Sequence, residues 1–313
     1  MTAPRSSAPA PPFPAPLVTP EDLAARLRGP VPPVVLDVRW RLGGPPGRAD
    51  HDAAHLPGAV FVDLDTELAA PPGPGGRHPL PDPAALQEVL RRAGVGAGTA
   101  VVAYDDDTGA VAARAWWLLR WSGVPAGRVA VLDGGYRAWV AAGLPVTAEP
   151  SRPRRGDLVV RPGGMPVLDA DGAAALPGAG VLLDARAGAR YRGETEPVDA
   201  AAGHVPGAVN APATDHLDAT GRWLPREALA ERYRRLGVAP WAPDGTGRAV
   251  GAYCGSGVTA TAVVLALEHA GLRPPGHPAA LYAGSWSQWS ADPDRPVATG
   301  AAPGDPAPPG PRG

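Results

Sequence analysis

Short unbroken apolar runs alternate along this chain with longer stretches that have helical spacing. Val34 to Val38, Ala100 to Tyr104 and Val129 to Leu132 read as buried strands. Thr19-Pro20-Glu21-Asp22 has the form of a helix start, with Thr as N-cap and Pro at the first helical position, and leads into Leu23 to Arg28. Asp82-Pro83 opens a helix that carries Leu86, Val89 and Leu90 on one face. Ala110 to Trp121 and Tyr136 to Ala142 read as further helices, the second stopped by Gly143. The second half has the same alternation. Its strands are Val181 to Leu183, Ala208-Val209, Val250 to Tyr253 and Ala280 to Tyr282, and its helices include Arg226 to Leu236 and Val258 to Ala270. This pattern predicts an α/β fold, a parallel sheet with helices on both faces.

The two halves also match residue by residue. Val34-Val35-Leu36-Asp37-Val38-Arg39 returns as Val181-Leu182-Leu183-Asp184-Ala185-Arg186, and His55-Leu56-Pro57-Gly58-Ala59-Val60 returns as His204-Val205-Pro206-Gly207-Ala208-Val209. Ala103-Tyr104-Asp105 returns as Ala252-Tyr253-Cys254, and Gly134-Gly135-Tyr136-Arg137-Ala138-Trp139 as Gly284-Ser285-Trp286-Ser287-Gln288-Trp289. Matches in order at nearly constant spacing indicate a tandem duplication, hence two similar domains. The expected division is a Pro/Ala-rich tail at 1–16, a domain at 17–148, a linker at 149–166, a domain at 167–302 and a second tail at 303–313. The tails are expected to be disordered, and the linker, with Arg152, Arg154 and Arg155, to be solvated.

Cys254 is the only cysteine, and it lies where a strand gives way to a helix through Gly255-Ser256-Gly257-Val258-Thr259. In an open parallel sheet the site lies at the carboxyl ends of the strands, which places Cys254, Arg186 and Arg190 on one edge. The glycines let backbone N–H groups turn inward at the head of the helix, and Ser256 and Thr259 add hydroxyls. Such a cradle favours an anion, here a thiolate. A buried structural cysteine is the alternative that the local sequence leaves open.

Composition narrows the chemistry. One cysteine excludes an internal disulfide framework and a multi-cysteine metal site, so no metal is expected. All 29 basic residues are arginine, so Schiff-base lysines and lysine-dependent phosphate loops are excluded. The single asparagine, Asn210, leaves little room for a Cys-His-Asn protease. A net charge of -2 gives no argument for nucleic acid or a membrane surface. There is no apolar run long enough to span a bilayer and no secretory h-region at the N-terminus, so a cytoplasmic protein is expected. A phosphatase of this loop type needs an arginine where Ala260 stands.

The set of motifs Asp184-Ala185-Arg186, Arg190-Tyr191-Arg192-Gly193-Glu194, Gly203-His204-Val205-Pro206-Gly207-Ala208, the Cys254 loop and Gly284-Ser285-Trp286 resembles the two-domain rhodanese family of sulfurtransferases. The resemblance covers about residues 17–300. It implies two tandem rhodanese-like domains, with the first non-catalytic, as Asp105 in the cysteine position suggests. It further implies a persulfide on Cys254, filled by a small anionic donor and emptied by a thiol or cyanide, with a thioredoxin-like protein among the conceivable acceptors and no cofactor. The neutral loop positions Gly255 and Ser256 resemble the 3-mercaptopyruvate branch; the thiosulfate branch, the alternative, has basic residues there. A non-catalytic regulatory module is the alternative of another class, and Cys254 in an intact Gly-Ser-Gly loop argues against it. The family's donor-binding arginine falls on Arg190, with Gly255, Gly257, Val258 and Thr259 as the remaining donor contacts. A second such arginine would fall near Asp199, where none stands, and Arg192 is the candidate substitute. A Ser–His–Asp relay maps onto Ser256 and His55, with Asp50 or Asp52 as third member. Structural roles compete for Arg186, which can pair with Glu194 or Glu196, for His204 and His55 in turns, and for Trp286 and Trp289 in the core.

Overall fold

Residues 12–244 and 247–306 are described by the structure, a computed structural model. In chain order the first half contains β1 (Leu17–Val18), α1 (Pro20–Leu27), β2 (Val34–Asp37), α2 (Gly47–Ala53), β3 (Val60–Phe61), α3 (Leu64–Glu67), α4 (Pro83–Arg92), β4 (Val101–Tyr104), α5 (Ala110–Trp121), β5 (Val129–Leu132) and α6 (Gly135–Ala141). The second half contains β6 (Val167–Leu168), α7 (Ala170–Ala179), β7 (Gly180–Asp184), α8 (Gly188–Tyr191), β8 (Val209–Asn210), α9 (Arg226–Arg235), β9 (Ala249–Tyr253), α10 (Ala260–His269), β10 (Ala280–Tyr282) and α11 (Ser285–Trp289). Helix starts follow from their capping residues. Thr19 accepts from the Asp22 N–H, and Asp82 accepts from those of Ala84 and Ala85.

Each half forms a five-stranded parallel sheet, in the orders β1-β5-β4-β2-β3 and β6-β10-β9-β7-β8. Alternate strand residues bury on opposite faces. Leu36, Ala103 and Val131 join one core, while Val35, Val102 and Ala130 join another with Leu23 of α1 and Trp139 of α6. The first of these cores runs on into the second half through α5 and α10, both buried along their lengths. The carboxyl ends of β4 and β9 therefore meet across one interface between the halves.

Two expectations need correction. The two-residue edge strands β1 and β6 are too short to give a period, and the strand expected at Ala208-Val209 lies one residue further on. The tail expected to be disordered at 1–16 is ordered where described, because Phe13 is buried and its N–H donates to the Gly127 carbonyl. At the other end Pro303 accepts from the Gly207 N–H. Residues 1–11 and 307–313 of the expected tails lie outside the described residues. The linker is largely exposed, Arg152, Arg154 and Arg155 included, but it is anchored. It buries Leu158 and Met165 and bonds its backbone to Arg91, Val95, Ser122 and Trp121, which straps it to the first half.

Candidate active site

Cys254 follows β9 and is 3% exposed, at the base of a cleft of about 410 Å³ between the two halves. The Gly257 N–H donates to its Sγ at 3.2 Å. Gly257 has a positive φ of 78°, and a Cβ there would lie 2.3 Å from the Ala283 carbonyl oxygen, so only glycine permits this close approach. Ser285 fixes the other side. It is the one non-glycine residue with positive φ among the described residues, is fully buried, and its Oγ accepts from the Cys254 N–H at 3.1 Å. That left-handed conformation is costly for serine, and the bond it permits keeps the Cys254 backbone in place. Val258 and Thr259 line the same cleft.

Ser256 is bonded to a histidine, but not to His55. His78 Nδ1 lies 2.8 Å from Ser256 Oγ, and His78 Nε2 lies 3.0 Å from Asp65 Oδ1. Burial pushes the His78 imidazolium pKa down from 6.5, and Asp65 opposes this only in part. The neutral ring then donates from Nε2 to Asp65 and accepts the Ser256 O–H at Nδ1. The Trp40 indole N–H donates to the other Asp65 oxygen and fixes the carboxylate. His55 instead sits at 2.7 Å from the His51 carbonyl and 3.1 Å from that of Glu149, in a different cavity. Asp50 and Asp52 do not support it either: they pair with Arg41 and Arg48. The duplication carried this signal. His55 and His204 are equivalent in the two copies and both bond to backbone carbonyls, so His55 is a turn residue of the fold rather than a partner of the one active loop. His78 lies in an irregular Gly/Pro loop whose counterpart in the second copy, Gly221-Arg222-Trp223-Leu224-Pro225, carries tryptophan in the histidine's place. Gly76 brings that loop in, since its φ is 102° and a Cβ would lie 2.6 Å from the Gly284 carbonyl oxygen.

Two guanidiniums converge over Gly255. A Cβ on Gly255 would lie 3.2 Å from Arg77 Nη2 and 3.6 Å from Arg190 Nη1. Arg190 is thus where expected, and Arg77, from the first half, was not foreseen. Asp199 holds both, with Arg77 at 2.6 Å on one oxygen and Arg190 at 2.9 Å on the other, and Arg190 also pairs with Glu196 at 2.6 Å. Arg192 does not substitute for the missing arginine; it pairs with exposed Glu194 outside the cleft. Arg186 is tied to Asp184 at 2.6 Å and to Glu196, stacked over Trp286, which is core packing. Among the described residues no cluster of His, Cys, Asp and Glu could hold a metal ion.

The equivalent loop of the first half is filled by its own side chain. Asp105 accepts from the backbone N–H groups of Asp107, Gly109, Val111 and Ala112, at 3.0–3.1 Å. Burial pushes this carboxyl up and the N–H donors hold it down. The anion cradle persists there, occupied by a carboxylate that cannot carry sulfur. Asp105→Asn retains one acceptor oxygen and strands N–H donors, so we expect a loss of about 1–3 kcal/mol in stability. Turnover should stay within roughly tenfold, about 1.4 kcal/mol of barrier. Denaturant titration beside steady-state rates checks both; a much larger rate loss in a folded variant would give Asp105 a catalytic part.

The rhodanese-like domain model matches residues 19–142 and 169–292. The chain belongs to the rhodanese family. A probable 3-mercaptopyruvate sulfurtransferase of Pseudomonas aeruginosa is 48% identical over 293 residues, covering 91% of this chain and 98% of that protein. A thiosulfate sulfurtransferase of Azotobacter vinelandii is 32% identical, covering 90% and 96%. Among solved structures, the 3-mercaptopyruvate sulfurtransferase from Leishmania major superposes with a TM-score of 0.76 at 30% identity, covering 90% of this chain and 76% of that one. Rhodanese relatives of both donor names therefore align along nearly all of this chain.

Proposed function

We propose that this protein is a sulfurtransferase that takes the sulfur of 3-mercaptopyruvate onto Cys254 and passes it to a thiol. The Ser256–His78–Asp65 relay beside Cys254 carries this reading. Thiosulfate leaves sulfite behind, a stable anion that needs no proton. Mercaptopyruvate leaves an enolate, which needs stabilisation at oxygen and a proton at carbon. Cys254 Sγ attacks the donor sulfur; the S–S bond forms as the C–S bond breaks. The electron pair passes into the enolate, whose oxygen meets the Ser256 hydroxyl. The donor's thiol proton passes through Ser256 to His78 and returns to the enolate, leaving pyruvate and a persulfide on Cys254. An acceptor thiol attacks the outer sulfur and frees the thiolate. A thioredoxin-like protein suits this step, and the cytoplasm suits an enzyme whose one thiol must stay reduced.

Arg190 Nη1 and Arg77 Nη2, the guanidinium nitrogens not taken by Glu196 and Asp199, can donate to the donor carboxylate over Gly255. The loop itself is neutral, as Gly255 and Ser256 are, but two guanidiniums stand over it. Glu196 and Asp199 nevertheless balance both guanidiniums, so the pocket offers a monoanion two oriented N–H donors rather than offering a dianion net positive charge. The test is kcat/KM for both donors on the full chain. We expect 3-mercaptopyruvate to be preferred by at least about tenfold, 1.4 kcal/mol. A preference for thiosulfate would sink the donor assignment while leaving Cys254 as nucleophile.

A further inference from the structure

Two buried arginines of α5 reach across the interface toward the second half. Arg120 meets a carboxylate, Glu268, at 2.9 Å. Arg114 is fully buried and, among the described residues, meets none. Its Nη1 donates to the Gly257 carbonyl at 3.1 Å, and its Nη2 donates to the carbonyls of Leu68, His78 and Pro79 at 3.2–3.3 Å. Its Nε is buried without a partner. An isolated buried cation is costly, and carbonyl dipoles offset that only in part. Gly257 is the residue whose N–H donates to Cys254 Sγ, so Arg114 sits directly behind the nucleophile's cradle. It also bonds the backbone of His78, the residue that serves Ser256.

We propose that Arg114, supplied by the half that lacks the cysteine, is the counter-charge of the Cys254 thiolate and persulfide and positions the loop carrying His78. This rests on Cys254 as the nucleophile and is independent of the donor. The other charged groups around Cys254 do not take this part. Arg186, Arg190 and Arg77 are held by Asp184, Glu196 and Asp199, and Arg41 by Asp50 and Asp106. Burial pushes His78 toward its neutral form. Asp105 and Asp107 line the opposite wall and carry the wrong sign. Burial lowers the Arg114 guanidinium to about 10, and the charge on Cys254 opposes that shift. Arg114 thus stays charged at neutral pH, with the sulfur anion as its complement.

Charge and hydrogen bonding separate in two variants of the full chain. Arg114→Lys keeps the charge with fewer donors; Arg114→Gln keeps donors without the charge. Because the chain has one thiol, iodoacetamide alkylation and ultraviolet thiolate absorbance report Cys254 alone. We expect Arg114→Gln to alkylate at least about tenfold more slowly at neutral pH and to recover at alkaline pH, and Arg114→Lys to stay within about threefold of the wild type. Wild-type reactivity in Arg114→Gln, or a lysine variant as slow as the glutamine one, would overturn the proposal. If Arg114→Gln does not fold, Arg114→Lys decides alone: alkylation within about threefold of the wild type supports the proposal, and a loss of about tenfold or more overturns it.

Discussion

Cys254→Ser is expected to fold and to lose sulfur transfer by roughly 10⁴-fold or more, the scale seen when a nucleophile that works as part of a unit is removed. The Gly257 N–H that donates to Sγ at 3.2 Å can donate equally to a serine oxygen, so the loop keeps its shape. The hydroxyl is neutral at working pH and forms no persulfide. No other thiol is present to take over, as Cys254 is the only cysteine. The measurement is steady-state turnover together with intact mass after incubation with donor. The wild type should gain the mass of one sulfur and the variant none. Residual turnover within tenfold of the wild type would end the sulfurtransferase assignment.

The parts of the site that were legible in the sequence are those fixed by a regular element. Cys254 stands at the end of β9 because an apolar run stops there, and Arg190 stands on α8, just past β7, for the same reason. The duplication made Asp105 readable as the counterpart of Cys254, and the structure adds that its carboxylate fills the vacated cradle. The parts that were not legible come from the other half. Arg77 and His78 lie in a Gly/Pro loop without period, and their approach to Cys254 depends on how two sheets pack through α5 and α10. Arg114 was hidden differently. Its helix reads as apolar, and a single arginine within Ala110 to Trp121 gives no sign of facing a carbonyl rather than a carboxylate. Periodicity reports which residues face a core; it does not report which charge waits on the other side of a domain interface.

The relay supplies the second large effect. His78→Asn should lower kcat for 3-mercaptopyruvate by about 10²–10³-fold, the range for a lost general acid–base group. KM should change little, because Arg190 and Arg77, not His78, line the space over Gly255. With thiosulfate the same variant should lose less than about tenfold, since sulfite departs without a proton and only loop positioning is disturbed. The pH dependence has a definite sign. Accepting from Ser256 at 2.8 Å requires an unprotonated Nδ1. Protonation of the ring destroys that acceptor, so kcat falls on the acid side. Burial lowers the pKa of His78 from 6.5, so the fall should come at a lower pH than an ordinary histidine would give. That acid limb should vanish in His78→Asn. Ser256→Ala should cost about as much as His78→Asn, and the double variant little more than either, because the two residues act as one unit. Full additivity of the two losses would show that Ser256 and His78 act separately, and equal losses on both donors would show that the relay positions the loop rather than moving a proton.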